Sequence, residues 1–456
     1  MSVGNVERGT AEEELLGVCP ICRERAEPQS SALDQEFYSL VASNAPGWRR
    51  EMGLCGRCVE RFLEAQAFLK THHPRLARGA KRILPLSLRL GAMEEYRGRG
   101  ITVAFLDAGF YAHPDLVEGE DRILKYVDIT HKNARRGDLD HPDESSWHGM
   151  MTSVVACGNG TLSGGLYRGL ASEASLVLVK CGTVRRVTHD DIRRGLRWVI
   201  RNRKRYSIRV VNVSCGGDYP ASYLRDGLSE AAEQATREGI LVCAAVGNLG
   251  HVPGHPVVPP ASAPSVLTVG GLDDQNRLAF SGYSMYHSSY GPTLDGLQKP
   301  EVIAPGIWIA APILPGTPTK VQAELLSLLA HARDEELQGV IAAHPGVDPS
   351  LDAAQALDPS LLRELVAARL QDASVISGSY KHVDGTSFSA PIVASIAAQM
   401  FEANPKLSPQ EAKSILVRSA RRLPTVEVDR QGWGVVDPRR AVLQALHAPG
   451  GRRDGP

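Results

Sequence analysis

The chain has 456 residues, of which 43% are hydrophobic, so it is long enough for two or three domains with a sizeable buried core. Its 51 basic and 51 acidic side chains balance, which argues against nucleic acid and anionic membranes as partners. Residues 1–15 are polar and acid-rich without the apolar stretch of a secretory signal. No run of residues approaches the ~18 apolar residues of a membrane span, so no membrane association is expected.

Residues 1–75 are expected to form a separate zinc-binding module with four cysteine ligands. Two Cys-x-x-Cys pairs, Cys19 with Cys22 and Cys55 with Cys58, offer four thiolates that can close a tetrahedral zinc site. The segment between the pairs exceeds the usual ~15–20 residues, so a small helical insertion is expected within it. A unit this small needs a bound metal or another cross-link to stabilise its fold. A dithiol redox pair is the less favoured interpretation, because neither cysteine motif lies in a βαβ pattern. Four sulfur ligands leave no open position, so the Zn²⁺ would be structural.

Apolar side chains predict a minimal core for this module. Helical spacing after the second cysteine pair indicates one buried stripe, formed by Val59, Phe62, Leu63 and Ala67. The segment between the cysteine pairs adds Phe37, Tyr38, Leu40, Val41 and Trp48. Residues 76–95, which change from basic to apolar, are interpreted as a linker.

From residue 100 onward, apolar β-rich runs alternate with amphipathic segments, which predicts an α/β fold with a mostly parallel sheet and helices on both faces. The expected strands are 101–106, 175–180, 209–214, 240–246 and 266–270, and the expected helices are 189–204 and 221–238. Active sites of such sheets lie at the carboxyl ends of the strands. Asp107, Ser214 and Asn248 end or follow three of these strands, so they are expected to share that edge.

Four further cysteines, Cys157, Cys181, Cys215 and Cys243, each stand alone in apolar surroundings. Scattered core cysteines of this kind suit a reducing compartment, where they act as small hydrophobes. Disulfide bonds among the four are the alternative, although their spacing suggests no framework. A cytoplasmic location is therefore expected.

Residues 318–372 are expected to form a helical insertion. One apolar stripe comprises Val321, Leu325, Leu328, Leu329 and Ala332, and another comprises Leu362, Leu365, Val366 and Leu370. Two interpretations stay open: a tolerated surface insertion, or a lid or docking element beside the site that follows it. Residues 448–456 are expected to be a disordered tail.

Ser387 lies in Gly385-Thr386-Ser387-Phe388-Ser389-Ala390-Pro391, a glycine-led turn that enters an apolar helix. A tight turn exposes the hydroxyl, and the helix start offers N–H groups and a positive dipole end to a reacting carbonyl. Alone, the motif would be an ordinary capped helix. Asp107 and His148 precede it in the order Asp, His, Ser, which is the subtilisin order.

Together these residues and several further motifs resemble the subtilisin-like serine proteases (subtilases, peptidase family S8) over residues 96–447. The matching segments are Asp107-Ala108-Gly109, His113-Pro114-Asp115-Leu116, His148-Gly149, Ser214-Cys215-Gly216-Gly217, Ala245-Val246-Gly247-Asn248, Lys299 to Gly306, the serine heptapeptide and Gly432 to Asp437. The resemblance implies a subtilisin-like three-layer sandwich and a serine endopeptidase that acts on a protein or peptide substrate. Two positions depart from the family pattern: Met150 follows Gly149, and Ala108 follows Asp107.

The resemblance also implies a role for each site residue. Ser387 would attack the scissile carbonyl, His148 would take its proton, and Asp107 would hold the imidazole. The Asn248 side chain and the Ser387 backbone N–H would stabilise the oxyanion. The residues implied to line the primary specificity pocket and bind substrate as an extended strand are Ser214, Cys215, Gly216, Gly217, Ala245 and Gly247.

Calcium has weak support, because the acidic residues Asp138, Asp140, Asp143 and Glu144 fit a solvated loop and form no clear calcium motif. The zinc module and the helical insertion are candidate docking elements for substrate or for a partner protein. A rival hypothesis is a catalytically silent subtilase fold that serves as a peptide-binding scaffold. A third hypothesis is that the zinc module binds nucleic acid, although its glutamates offset the positive charge of its arginines.

Overall fold

A computed structural model of the protein describes residues 17–26, 28–29, 33–72, 83–280 and 282–449. The chain separates into two compact units, Met1–Pro74 with Arg277–Tyr283 and Arg75–Asn276 with Ser284–Pro456. Much of the expected linker, residues 76–82, and the expected tail from residue 450 lie outside the described residues.

The described part of the first unit is built from two short antiparallel strand pairs and two helices. Its elements are β1 Gly17–Val18, β2 Arg25–Ala26, β3 Pro28–Gln29, α1 Gln35–Asn44, a 3₁₀ turn at Arg50–Met52, β4 Leu54–Cys55 and α2 Gly56–His72. Strand β1 pairs with β2, and β3 pairs with β4. Helix α1 begins after Asp34, whose carboxylate accepts a hydrogen bond of 2.7 Å from the Phe37 N–H. The buried Phe37 and Phe62 rings meet edge to face at 6.1 Å and join the two helices.

The buried face of α2 differs from the predicted stripe. Val59 and Phe62 are buried as expected, but Leu63 and Ala67 are exposed, and Ala65 and Gln66 take their place. The helix packs against α1 and against the short strands β3 and β4, and these contacts cover the face that carries Ala65 and Gln66.

The second unit contains a central sheet with several two-stranded additions. Its strands are β5 Thr102–Asp107, β6 Ile123–Asp128, β7 Ser175–Lys180, β8 Gly182–Thr183, β9 Arg186–Val187, β10 Ile208–Val213, β11 Leu241–Ala245, β12 Leu267–Asp273, β13 Ser284–Met285, β14 Gly291–Pro292, β15 Gln298–Lys299, β16 Val302–Pro305, β17 Ile309–Pro312 and β18 Tyr380–Val383. Its helices are α3 Leu86–Leu90, α4 Pro114–Val117, α5 Ser146–Cys157, α6 His189–Tyr206, α7 Gly227–Arg237, α8 Pro318–His331, α9 Leu337–Ala342, α10 Pro349–Ala353, α11 Pro359–Asp372, α12 Thr386–Ala403, α13 Pro409–Ser419, α14 Val428–Gln431 and α15 Pro438–His447. Single 3₁₀ turns occur at Arg136–Asp140, Thr161–Ser163 and Asp334–Glu336.

In the described residues the central sheet has eight strands in the order β13, β12, β11, β10, β5, β7, β6, with β16 also paired to β12. All of these pairs are parallel except β12 with β13. Alternate residues of β5 pack on opposite faces: Val103 and Phe105 join the core around α5 and α12, whereas Ala104 and Leu106 join the core around α6 and α7. The predicted α/β fold, with a mostly parallel sheet between two helical layers, is confirmed.

The described part of the segment interpreted as a linker contains helix α3 and is tied to the second unit. Arg89 is 1% exposed and binds the Asp274 carboxylate through two hydrogen bonds of 2.6 and 2.8 Å. Its guanidinium also donates to the backbone carbonyls of Ile307 and Trp308. A surface linker would leave this arginine in solvent, so residues 83–91 are part of the packed structure.

The insertion at residues 318–372 folds into helices α8 to α11, which enclose their own apolar core. Leu325 and Leu329 of α8 face Leu362 and Val366 of α11 in this core. Val321 and Leu328, which were expected in the buried stripe, are about half exposed. The insertion leaves β17 and returns along β18, which pair antiparallel with Ile309 opposite Val383.

Candidate active site

Asp107 and His148 form a hydrogen-bonded pair at the carboxyl end of β5. The Asp107 side chain is buried, and its Oδ1 lies 2.7 Å from His148 Nδ1. Two further donors orient the carboxylate: the Ala108 N–H at 2.7 Å and the Thr152 hydroxyl at 3.1 Å. Burial lowers the pKa of His148, but the charge and hydrogen bond of Asp107 outweigh it and raise the net pKa above the ordinary value.

A close backbone contact explains the glycine that follows this histidine. A Cβ atom at Gly149 would lie 2.1 Å from the backbone oxygen of Gly109. Only glycine permits α5 to approach the turn after β5 so closely. The approach brings the His148 ring to Asp107, while the neighbouring Met150 is fully buried in the core.

Ser387 is the second residue of α12, in its first turn. The helix begins directly after Gly385, which has a φ of 139°. The Ser387 hydroxyl donates to the backbone oxygen of Ser214 at 3.2 Å, and the Ser214 hydroxyl donates back to the backbone oxygen of Ser387 at 2.8 Å. In this conformation the hydroxyl therefore points to Ser214 and not to His148. The ring of the next residue, Phe388, lies 6.0 Å from the imidazole ring, so the two side chains occupy the same neighbourhood.

Asn248 follows β11 and is fixed against the serine turn. Its Oδ1 accepts hydrogen bonds from the Thr386 N–H at 3.0 Å and from the Thr386 hydroxyl at 2.8 Å. With its oxygen occupied, the amide N–H₂ group is left to donate elsewhere. A Cβ atom at Gly385 would lie 3.8 Å from the Asn248 Nδ2, which places this donor beside the turn that carries Ser387.

The two segments expected to bind substrate follow neighbouring parallel strands, with Val213 opposite Ala244. Ser214 is buried, Cys215 is half-buried and Gly216 is exposed. The Gly217 N–H donates to the Pro259 oxygen at 2.7 Å. On the other segment, Ala245 is half-buried and Gly247 has a φ of 105°, which side chains rarely adopt.

Of the four isolated cysteines, Cys157, Cys181 and Cys243 are buried and Cys215 is half-buried, and no disulfide bond joins any of the eight cysteines. Burial raises the pKa of Cys157 and of Cys243 to about 12, and it also raises the pKa of Cys181. Burial, followed by the nearby Asp107 charge, raises the pKa of the Cys215 thiol as well, which limits its reactivity.

The acidic residues considered for calcium are engaged with basic groups or backbone. Asp143 pairs with Lys180, Asp140 with Arg136, and Glu144 with Arg185, while Asp138 accepts from the Arg135 N–H. Among the described residues, the only group of three or more His, Cys, Asp or Glu side chains close enough to hold a metal is formed by cysteines.

That group consists of Cys19, Cys22, Cys55 and Cys58, all buried, with their sulfur atoms within 4.8 Å of one another. The Cys19–Cys58 and Cys22–Cys55 sulfur distances are 3.7 and 3.6 Å. Tetrahedral Zn–S bonds of about 2.3 Å require sulfur atoms about 3.8 Å apart, so the cluster fits such an ion. The thiols also affect one another's protonation. A hydrogen bond with Cys19 raises the pKa of Cys22 to about 12.

Sequence reasoning missed the residues that hold the site residues in place. Thr152 contacts Asp107 from within α5, and Thr386 fixes Asn248. Thr152 is four residues after His148, so helical spacing alone places both side chains on one face. No comparable signal indicates His287, whose Nδ1 lies 3.0 Å from the backbone oxygen of Asn248.

Known proteins share the sequence and fold of this site region. The chain matches the Subtilase family, peptidase S8, over residues 98–434. Serine protease AprX of Bacillus subtilis strain 168 is 29% identical over 358 residues, which cover 76% of this chain and 66% of that protein. Subtilisin BL of Lederbergia lenta is 31% identical over 218 residues, which cover 46% of this chain and 65% of the relative.

The chain therefore belongs to the subtilase family. It spans just under two thirds of the length of these curated relatives. A solved protease structure from Pseudoalteromonas arctica PAMC 21717 shares the fold, with a TM-score of 0.52 at 21% identity, covering 83% of this chain and 97% of the other. No helix within the described residues is both long and apolar enough to cross a membrane.

Proposed function

We propose that the protein is a serine endopeptidase whose catalytic residues are Asp107, His148 and Ser387. The observation that carries the proposal is the buried Asp107 carboxylate, 2.7 Å from His148, beside the glycine turn that presents Ser387. Membership of the peptidase S8 family supports the same activity. The substrate is a protein or peptide chain.

The reaction begins when the Ser387 hydroxyl turns from the Ser214 oxygen toward His148, a rotation about one side-chain bond. His148 Nε2 takes the proton as Oγ attacks the scissile carbonyl, and Asp107 stabilises the imidazolium. The Ser387 backbone N–H and the Asn248 amide donate to the oxyanion. His148 then protonates the leaving amine, and water hydrolyses the acyl-enzyme.

The substrate is proposed to lie as an extended strand between Ser214–Gly217 and Ala245–Gly247. The exposed Gly216 leaves room for a peptide backbone to approach, and the half-buried Cys215 and Ala245 border the pocket. These segments supply main-chain hydrogen bonds along the substrate.

The four cysteines of the first unit are proposed to hold a structural Zn²⁺. Their buried sulfur atoms and the two distances near 3.7 Å support this ligand set. The module is proposed to recruit substrate or a partner protein. The half-exposed Val321 and Leu328 on the helical insertion offer a second apolar docking surface.

A cytoplasmic location is proposed because no disulfide bond joins the eight cysteines, which suits a reducing compartment. Thiol counts in denaturant, before and after reduction, are expected to agree. A gain of thiols after reduction would contradict this location.

Labelling with a fluorophosphonate, followed by intact mass, tests the activity. We expect stoichiometric labelling of the purified protein and none of Ser387→Ala. Ser389→Ala is a matched control, because its hydroxyl donates to the Pro305 oxygen inside the core and not to the site. Absence of labelling in a folded, zinc-loaded protein would favour the peptide-binding scaffold instead.

A further inference from the structure

One loop of the protease sequence is part of the cysteine unit. Residues Arg277–Tyr283 lie between β12 and β13 in the chain, yet they cluster with Met1–Pro74. The Phe280 N–H donates to the Ile21 oxygen at 3.1 Å, and the Leu278 N–H donates to Asn44 Oδ1 at 3.0 Å. Leu278 is buried, so its bond to Asn44 is shielded from water, whereas Phe280 is half-buried.

The acceptor of the first bond lies inside the metal-ligand set. Ile21 stands between Cys19 and Cys22 and is 1% exposed, so its carbonyl position depends on the turn that the two cysteines form. Their sulfur atoms pair with those of Cys58 and Cys55 across the cluster. A bound ion would fix that turn through four metal–sulfur bonds, whereas its loss leaves four crowded buried thiols joined by weak sulfur–sulfur hydrogen bonds.

The same loop continues directly into the segment that supports Asn248. Beyond β13, the Ser289 N–H donates to the Gly247 oxygen at 2.9 Å, and the Ser289 hydroxyl accepts from the Leu249 N–H at 3.1 Å. His287 Nδ1 lies 3.0 Å from the backbone oxygen of Asn248. Residues 287–289 thus hold the backbone on both sides of Asn248 as well as at Asn248 itself.

We propose that zinc occupancy of the four cysteines controls the catalytic rate through the continuous segment 278–289. The ion fixes the Ile21 carbonyl, the carbonyl fixes the loop at Phe280, and the loop fixes the support of the Asn248 donor. The coupling needs only the covalent chain and the hydrogen bonds named above. It rests on the proposed endopeptidase function and adds a divalent-metal requirement that the catalytic residues do not have themselves.

The test uses the full chain, with zinc content measured before and after chelation and after Zn²⁺ is returned. Two quantities are followed: the fluorophosphonate labelling rate at Ser387 and deuterium uptake of peptides covering 277–289 and 246–250. We expect zinc loss to lower the labelling rate by about 10–100-fold, which is less than the ~10²–10³-fold cost of removing one oxyanion donor outright. Deuterium uptake should rise in both peptides but not in β5, and Zn²⁺ should restore both quantities.

A variant that keeps all four cysteines separates the coupling from metal loss. Asn44→Leu removes the acceptor for the Leu278 N–H at similar side-chain size, and we expect several-fold slower labelling at full zinc content. Ser43→Ala is the matched control, because the hydroxyl of this exposed neighbour bonds only within α1, to the Leu40 oxygen and the Asn44 amide, and the variant should label at the wild-type rate.

The outcomes distinguish the two proposals. Unchanged labelling and unchanged uptake at 246–250 after complete zinc removal would overturn the coupling while leaving the endopeptidase proposal intact, and so would absence of bound zinc in the active protein. If uptake changes as expected but Ser387 is never labelled, the endopeptidase proposal fails and the control of its rate fails with it, while the zinc-dependent ordering of residues 246–250 is retained. If zinc removal unfolds the whole chain, Asn44→Leu decides, and wild-type labelling of that variant overturns the coupling.

Discussion

Replacing Arg89 by methionine should destabilise the second unit more than any surface substitution. The guanidinium is buried, and the replacement removes two charge-assisted bonds to Asp274 and two donors to the carbonyls of Ile307 and Trp308. Removing one partner of a buried pair typically costs about 3–5 kcal/mol, because the other charge stays buried without compensation. That is a large share of the ~5–15 kcal/mol that stabilises most native proteins.

Urea unfolding of the full chain, followed by circular dichroism, measures this cost as a shift of the transition midpoint at constant slope. The double variant Arg89→Met with Asp274→Leu should recover part of the loss, since no charge then stays buried. Arg185→Met is a suitable control, because Arg185 is largely exposed in its pair with Glu144 and should shift stability by less than about 1 kcal/mol. A loss below about 1 kcal/mol for Arg89→Met would refute the assignment of this segment to the packed structure.

Three further predictions concern the site. Because His148 must be neutral to act as a base and its pKa is raised, kcat/KM should fall as pH drops, with a midpoint above the ordinary imidazole pKa; Asp107→Asn removes the charge that is the larger raising cause, so the midpoint of its much reduced activity should move lower, and an unchanged midpoint would contradict this. Asn248→Leu should lower kcat about 10²–10³-fold at similar KM, a magnitude taken over from a subtilisin, and Thr386→Val should give a smaller loss in the same assay. Gly149→Ala places a Cβ atom 2.1 Å from a backbone oxygen and should destabilise the protein by about 3 kcal/mol or more in thermal unfolding; wild-type stability would exclude the close contact.

The regular part of the fold was predictable because periodicity marks buried strands and amphipathic helices directly. The predicted strand 175–180 matches β7 residue for residue, and helix α6 extends the predicted 189–204 by only two residues. Asp107, Ser214 and Asn248 lie at the carboxyl edge of neighbouring strands, as parallel topology requires.

Features that depend on distant partners could not be predicted. Arg89 stands in a basic-to-apolar stretch typical of a linker, and only the tertiary position of Asp274 makes it a buried ion pair. Similarly, an apolar stripe shows that Val321 and Leu328 can be buried but not which element would cover them. Nothing local in residues 277–283 indicates that they pack with the cysteine unit.

The hairpin that carries the insertion has an evolutionary consequence. The Cα atoms of Pro312 and Tyr380 are direct partners in the β17–β18 ladder, so the two strand ends that flank the insertion lie about 5 Å apart. A short turn could join them without moving either strand, and a segment with its own core can be exchanged for another whose ends are equally close. The site at Ser387 can therefore persist unchanged while lineages gain, lose or replace the helices that precede it.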